Sequence, residues 1–181
     1  QSVMKKLLFP IFILLIAASC ATIKVSSDFD KSAQFPGYKT YAFTEEAMNL
    51  NIEELNRKRL ITAIENELSL KGFTKAEKPD VVIDIKISGE KKQTATATST
   101  GGYYGYGYRY GWGGGMGTTT INYDSYLEGT IFINMIDATK NEVVWQGRGV
   151  GTVDPGASAS KREKNINYAV KQIFTKYPPK M

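Results

Sequence analysis

The sequence of 181 residues contains no histidine, and its only cysteine is Cys20. Imidazole and thiolate are the ligands of most zinc sites, and His-based catalytic triads need an imidazole, so both kinds of site are excluded. A single thiol forms no intramolecular disulfide, so the core has to be stable without one. Only carboxylates remain for acid–base chemistry, and we predict neither a cofactor nor a metal site.

Long apolar runs are absent as well. The longest, residues 7–18, has about twelve residues, whereas a membrane-spanning helix needs roughly 20. It follows Lys5 and Lys6 and is followed by small residues, which is the layout of a bacterial export signal. We therefore predict that residues 1–19 are a removable signal peptide. Residues 1–3 precede the plausible start residue Met4, and we attribute them to the choice of start site or to a tag.

The residues that end this signal, Ala17-Ala18-Ser19-Cys20, resemble a lipobox, the recognition sequence of bacterial lipoproteins. The resemblance implies that Cys20 receives a diacylglycerol on its thiol, becomes the N-terminus and is acylated on its amine. At about 0.8 kcal/mol per buried methylene, two or more acyl chains make the anchoring effectively permanent. Ordinary secretion with a chance cysteine is the alternative.

The charge of the chain is mildly positive. The formal net charge is +5, and loss of residues 1–19, which contain two lysines and no acid, leaves +3. An exported chain without a basic stripe is not expected to bind nucleic acid. The predicted partners are the membrane, through the lipid on Cys20, and an envelope protein or glycan.

Two hydrophobic periods alternate along the rest of the chain, one typical of half-buried strands and one typical of amphipathic helices. They predict an α+β domain with a mostly antiparallel sheet of about five strands and two helices packed on one face. We assign residues 20–36 to the lipidated N-terminus, tether and first short strand, and residues 37–181 to one domain. The predicted strands cover residues 23–25, 38–43, 81–100, 121–135 and 143–153, and the predicted helices cover residues 51–72 and 160–177.

Capping patterns locate the helix ends. Asn51, with Glu54 three residues on, is the predicted start of the first helix, and Gly72 is its predicted end. Ser160 and Glu163 form the same pattern at the start of the last helix.

Residues 101–117 read GGYYGYGYRYGWGGGMG and lie between two predicted strands. The stretch is therefore predicted to be the flexible tip of a long hairpin, and it lacks the glycine spacing of a phosphate-binding loop. The sequence leaves three roles open for this stretch. It is a mobile tip of little chemical consequence, an adaptable contact surface for a protein or glycan, or an element of self-association. The possible contact residues are Tyr103, Tyr104, Tyr106, Tyr108, Arg109, Tyr110 and Trp112.

Four carboxylates are the candidates for catalysis, namely Asp80, Asp84, Glu128 and Asp137. Each has a plainer role as a solvated side chain or as an acceptor for backbone donors at a turn, so we predict no catalytic residue. Trp145 shares strand parity with Val143 and is predicted to be core, with glycines at 147 and 149 leaving room for a bulky neighbour.

The order of these motifs resembles the domain-of-unknown-function 4136 family of bacterial envelope lipoproteins, over nearly the whole mature chain. The most specific blocks are YKTYAF, KPDVVIDI, the segment from LEGT to WQG, and Tyr177-Pro178-Pro179. The resemblance implies an α+β fold and an envelope location, and it implies no catalytic residue and no ligand.

We predict a non-enzymatic, lipid-anchored envelope protein with a binding or structural role, held in the outer membrane and facing the periplasm. The alternatives are a carboxylate-based enzyme acting on envelope glycan or peptide, and a subunit of an envelope assembly.

Overall fold

A computed structural model of the chain describes residues 23–99 and 119–180. Within these ranges the fold contains one six-stranded sheet and three α-helices. The strands are β1 (Lys24–Phe29), β2 (Thr40–Phe43), β3 (Thr74–Lys75), β4 (Val81–Ser99), β5 (Thr119–Asp137) and β6 (Glu142–Val153), and the helices are α1 (Glu45–Met48), α2 (Glu54–Leu70) and α3 (Ala159–Phe174).

The strands are arranged in the order β1-β6-β5-β4-β2-β3. The ladders β1–β6, β6–β5 and β5–β4 are antiparallel, whereas β2 runs parallel to both β4 and β3. The parallel pair β2–β4 arises because α2 lies between these strands in the chain and returns it to the same end of the sheet. The predicted α+β class with a mostly antiparallel sheet is confirmed.

The predicted number of elements is wrong by one strand and one helix within the described ranges. The additional strand β3 has two residues, too few to show an alternating pattern. The additional helix α1 is a single turn, started by the Thr44 hydroxyl, which accepts from the backbone N–H of Ala47 at 3.0 Å. Neither is long enough for hydrophobic periodicity to reveal it.

The long helices start at other residues than the predicted caps. Helix α2 has Glu53 at its N-cap rather than Asn51, and no side chain caps it. Helix α3 starts after Ser158 rather than Ser160, because the Ser158 hydroxyl accepts from the backbone N–H of Lys161 at 3.3 Å. The predicted end of α2 is confirmed, since Gly72 follows it with φ of 83°, a left-handed conformation that glycine adopts without strain.

The hydrophobic core lies between α2, α3 and one face of the sheet. Trp145, predicted to be core, is fully buried, and its ring centroid lies 5.8 Å from that of Phe174 and 5.4 Å from that of Tyr177. The buried apolar side chains of the two long helices and of β4, β5 and β6 form a single cluster. Its fully buried members include Leu60, Ile64, Leu68, Val81, Ile83, Ile133, Val170 and Ile173.

Two glycines of β6 let α3 approach the sheet closely. A Cβ atom at Gly149 would lie 2.8 Å from Cδ1 of Ile173, and one at Gly147 would overlap both Ile173 and the Trp145 ring. The prediction that these glycines make room for bulky neighbours is confirmed. The side chain of Ile173 on α3 can therefore contact β6 because Gly147 and Gly149 have no Cβ atom.

We predict that Gly147→Ala lowers the free energy of unfolding by about 1–3 kcal/mol, because the new methyl group forces Ile173 and Trp145 apart. Urea unfolding followed by circular dichroism measures this change. The matched control is Gly37→Ala, since nothing lies within 4 Å of a Cβ at that position. The control should be neutral or stabilising by up to about 1 kcal/mol. Equal stability of the Gly147→Ala variant and the wild type would contradict the packing described.

Candidate functional site

The residues predicted to make contacts lie outside the described part of the chain, namely Tyr103, Tyr104, Tyr106, Tyr108, Arg109, Tyr110 and Trp112. The same is true of Cys20, so its lipidation stays a prediction. The structure does describe the chain on either side of the Tyr/Gly stretch as far as Ser99 and Thr119, which are partners in the β4–β5 ladder. The stretch therefore joins the paired ends of two neighbouring strands.

The outer part of the β4–β5 hairpin extends past the rest of the sheet. Strand β6 is paired with β5 only from Leu127 to Asp137, and β2 is paired with β4 only from Val81 to Ile83. Residues 92–99 and 119–126 are thus paired with each other alone among the described strands, and we call them the arm. At about 3.4 Å per residue, the arm is roughly 25 Å long.

Beyond Ile83, the outer edge of β4 has no neighbouring strand within the described ranges. Unpaired edges are templates for pairing with another chain, and charged side chains oppose such pairing. The edge carries Lys86, Glu90, Lys91 and Lys92 near the body, with Lys92 Nζ 2.8 Å from Glu90 Oε2. Residues 93–99 of the same edge carry no charge.

Asp80, the first candidate carboxylate, holds the start of β2. Its Oδ2 accepts from the backbone N–H of Lys39 at 2.9 Å, and from the backbone N–H and hydroxyl of Thr40 at 2.8 Å each. The hydrogen bond from Lys39, followed by those from Thr40, lowers the pKa of Asp80. The carboxylate therefore fixes β2 beside β4.

Asp137 closes the turn between β5 and β6. Its Oδ1 accepts from the backbone N–H groups of Thr139 at 2.8 Å and Lys140 at 2.9 Å, and its Oδ2 accepts from the Tyr38 hydroxyl at 2.9 Å. The hydrogen bond from Lys140 is the main cause of the lowered pKa of Asp137. Burial, together with the bond to Asp137, raises the pKa of Tyr38 to about 12.

Asp84 and Glu128 are held apart on the sheet. Asp84 Oδ2 accepts from Asn134 Nδ2 at 3.1 Å, and Asn134 Oδ1 accepts from Gln146 Nε2 at 2.7 Å, which makes a polar row across β4, β5 and β6. Glu128 is the partner of Glu90, which is six positions after Asp84, so Asp84 and Glu128 are roughly 20 Å apart along the ladder. They do not form a catalytic pair.

A cavity of about 450 Å³ opens between α2, α3 and the helix-facing side of β5 and β6. Small-molecule sites have volumes of roughly 300–1,000 Å³ and mainly apolar walls. Two wall residues, Ile87 and Val153, are among the exposed large apolar side chains, with exposed fractions of 38% and 43%. Its apolar wall also includes Ile23, Leu60, Ile131, Ile166 and Ala169.

A polar network lies along the rim of this cavity and joins the starts of the two long helices. Arg162 Nη1 lies 3.1 Å from Glu53 Oε2, and Arg162 Nη2 donates to the Pro155 carbonyl at 3.0 Å. Asn56 Nδ2 also donates to Glu53 Oε2, at 2.9 Å. Glu53 therefore pairs with a side chain of α3, and it is part of the rim rather than a cap. An exposed ion pair of this kind contributes less than about 1 kcal/mol to stability.

The sequence analysis missed the cavity, although the sequence contains a signal for it. Helix α2 has 17 residues and is roughly 25 Å long, whereas β4 and β5 have 19 residues each and are roughly 60 Å long. The apolar alternation of the strands continues to Ile87 and Ile131, which line the gap between the sheet and the two long helices. Apolar side chains beyond the cover of a helix have to be exposed or line a gap.

No helix in residues 23–99 or 119–180 has both the length and the apolar character required to cross a membrane. Within the same ranges, no group of three or more acidic, histidine or cysteine side chains is arranged to bind a metal ion.

The fold and the cavity define a class: an α+β protein with one mixed sheet, two long helices on one face, a hairpin arm and an apolar cavity under the helices. Within that class, the chain belongs to the DUF4136 family, a domain of unknown function, whose model matches residues 25–179. The family resemblance drawn from the sequence is thereby confirmed. A comparison with curated proteins finds no match.

The chain is similar to a PDZ domain protein from Parabacteroides distasonis ATCC 8503, at 18% identity and a TM-score of 0.55. The match covers 93% of this chain and 39% of that protein, and it shows a shared fold alone. PelC dodecamers from Paraburkholderia phytofirmans match at 11% identity, with TM-scores of 0.40 and 0.41. Those matches cover 85% of this chain and 95% or 96% of PelC.

We predict that Asp80→Asn lowers the free energy of unfolding at pH 7 by about 1–3 kcal/mol, because backbone donors lose a charged acceptor. The pKa of Asp80 is lowered in the folded state, so its contribution is complete above its unfolded value near 4 and is lost as the pH falls through the folded value. The difference between variant and wild type should therefore shrink from pH 7 to pH 3.

Urea unfolding at both pH values measures this difference. The control is Asp124→Asn on the exposed arm, which should change the free energy of unfolding at pH 7 by less than about 0.5 kcal/mol. A difference between Asp80→Asn and wild type that stays constant with pH would refute the role given to the Asp80 charge.

Proposed function

We propose that the chain is a non-catalytic, lipid-anchored binding protein of the bacterial envelope. Cys20 holds it in the outer membrane on the periplasmic side, and the arm presents residues 101–117 to an envelope protein or glycan. The observation that supports this proposal is the pairing of β4 and β5 as far as Ser99 and Thr119, well beyond the last pair with β6. The sidedness rests on the lack of an acidic cluster just after Cys20.

The composition of residues 101–117 supports a binding role. Tyrosine and tryptophan have flat apolar faces with polar edges, which suit sugars and mixed protein surfaces, and Arg109 is a partner for an acidic group. The glycines lower rigidity, so ordering the stretch on binding opposes affinity and favours an adaptable contact over a fixed pocket.

The carboxylate geometry supports a non-catalytic role over an enzyme acting on envelope glycan or peptide. A general acid needs a pKa raised toward the working pH, whereas the pKa values of Asp80 and Asp137 are lowered by backbone hydrogen bonds. Both side chains are already engaged in holding strands and turns.

The contact surface is tested with three full-length proteins: the wild type, a variant with residues 101–117 replaced by an Asn-Gly turn, and a variant of unchanged length with its six aromatic residues in that stretch changed to serine. We expect the wild type to co-sediment with purified peptidoglycan, or to cross-link to an envelope protein in cells. Both variants should lose this contact, because they lack the rings.

Circular dichroism checks that all three proteins have the same fold. Intact-mass analysis of the wild type and of Cys20→Ser tests the anchor separately. Recovery of the same partner by all three proteins would show that residues 101–117 are not the binding surface, and an unacylated Cys20 would show that the protein is not lipid-anchored.

A second candidate function, a subunit of an envelope assembly, is favoured by the open edge of β4. The uncharged part of that edge lies on the arm, where a strand of a second copy has room to pair.

For this candidate we predict concentration-dependent oligomers in sedimentation velocity of the full-length protein in detergent. The double variant Thr94→Lys/Thr96→Lys should dissociate them by placing charges along the exposed arm. A wild type that is monomeric at every concentration would contradict the assembly candidate.

A further inference from the structure

We infer that the cavity between α2, α3 and the sheet binds one acyl chain of the protein's own anchor, the chain linked through an amide to the amine of Cys20. This inference rests on the proposed lipid-anchored function, and it assigns an occupant to the apolar site described above.

The first step is the short distance between anchor and cavity. Ile23 belongs to the cavity wall, and its side chain lies over β6, where a Cβ at Gly151 would be 3.2 Å from Ile23 Cγ1. Cys20 precedes Ile23 by three residues, so the two are at most about 10 Å apart at 3.3–3.6 Å per residue. An acyl chain on the Cys20 amine therefore begins beside the cavity.

The second step is the chemistry of the wall. The inner surface is formed by apolar side chains such as Leu60 and Ala169, which are nearly fully buried, with exposed fractions of 2% and 8%. Polar side chains also line the cavity, and among them Asn56 and Glu53 belong to the rim network. An apolar interior with a polar rim suits an alkyl chain joined to an amide.

The third step is the energetic balance. Moving an alkyl chain from the bilayer into an apolar cavity changes its free energy little, because lipid tails are as apolar as leucine. The covalent link then matters, because a short tether gives the chain an effective concentration in the range of about 1 mM or more. The two chains of the diacylglycerol are enough for stable anchoring. The third chain, on the amine of Cys20, can therefore leave the bilayer without releasing the protein.

The occupied cavity would hold the body of the domain directly against the leaflet. Without it, the residues between Cys20 and β1 are the only attachment. With it, the wall residues of both long helices and of the sheet contact the anchor, so the direction of the arm relative to the membrane becomes fixed.

The test uses the full-length protein made in cells supplied with a diazirine-bearing fatty acid, which the cell incorporates into its acyl chains. After irradiation, alkaline hydrolysis cleaves the ester bonds, so a cross-linked ester chain remains on its peptide as a free fatty acid, whereas the amide-linked chain joins that peptide to the Cys20 peptide. Mass spectrometry distinguishes the two products and locates the cross-links of the amide-linked chain. We expect cross-links to the cavity-facing peptides of α2 and α3. A map without peptide cross-links, a phospholipid adduct in the cavity, or cross-links to a second copy would each overturn the inference.

Two variants sharpen the test. Ala169→Phe fills the cavity from α3 and should lose the α2 and α3 cross-links. The matched control Ala159→Phe lies at the exposed start of the same helix and should keep them. If Ala169→Phe does not fold, the wild-type map decides alone. Intact mass distinguishes failure of the proposed anchor from failure of this inference. An unacylated Cys20 amine would contradict the proposed triacylated anchor, whereas an acylated amine without a cavity cross-link would contradict only this inference.

Discussion

The close approach of α3 to β6 is the constraint on which the rest of the fold depends. Ile173 lies over Gly147 and Gly149, where any larger residue would meet its side chain. This approach brings the end of α3 down onto Trp145 and sets Tyr177 between the rings of the core. Burial there raises the pKa of Tyr177 to about 12. Lys71 Nζ donates to the carbonyl of Tyr177 at 2.6 Å and so ties the end of α2 to the same point.

Most of the framework follows from the sequence, because periodicity reports which face of an element is buried. The alternation over 81–100 and 121–135 and the helical stripes over 51–72 and 160–177 predict four elements whose described parts are close to those expected. The parallel direction of β2 does not follow, because alternation says nothing about strand direction. Strand β3 and helix α1 are too short for any period. Helix α2 starts after Glu53, whose side chain pairs with Arg162, 109 residues away, and no local capping rule includes such a partner.

The candidate sites also differ in whether they follow from the sequence or from the packed fold. Positions at strand and turn ends predict that Asp80 and Asp137 accept from backbone donors, and both have that role. The cavity depends on how far two helices cover a much longer sheet, which is a property of the packed fold rather than of any motif. Ile87 and Ile131 continue the apolar stripe of their strands as far as the cavity wall, so part of the signal was present in the sequence. Its location under α2 and α3 required the three-dimensional arrangement.

The repetitive sequence of the arm affects where the register of the β4–β5 hairpin is encoded. Residues 94–98 read TATAT, so a shift of the arm by two positions changes almost nothing in its side chains, and the arm alone encodes its register weakly. The register is encoded where β4 meets β5 in the body, at unlike pairs such as Asp84 with Asn134 and Lys86 with Phe132. Correct pairing in the arm therefore depends on the pairs formed in the body.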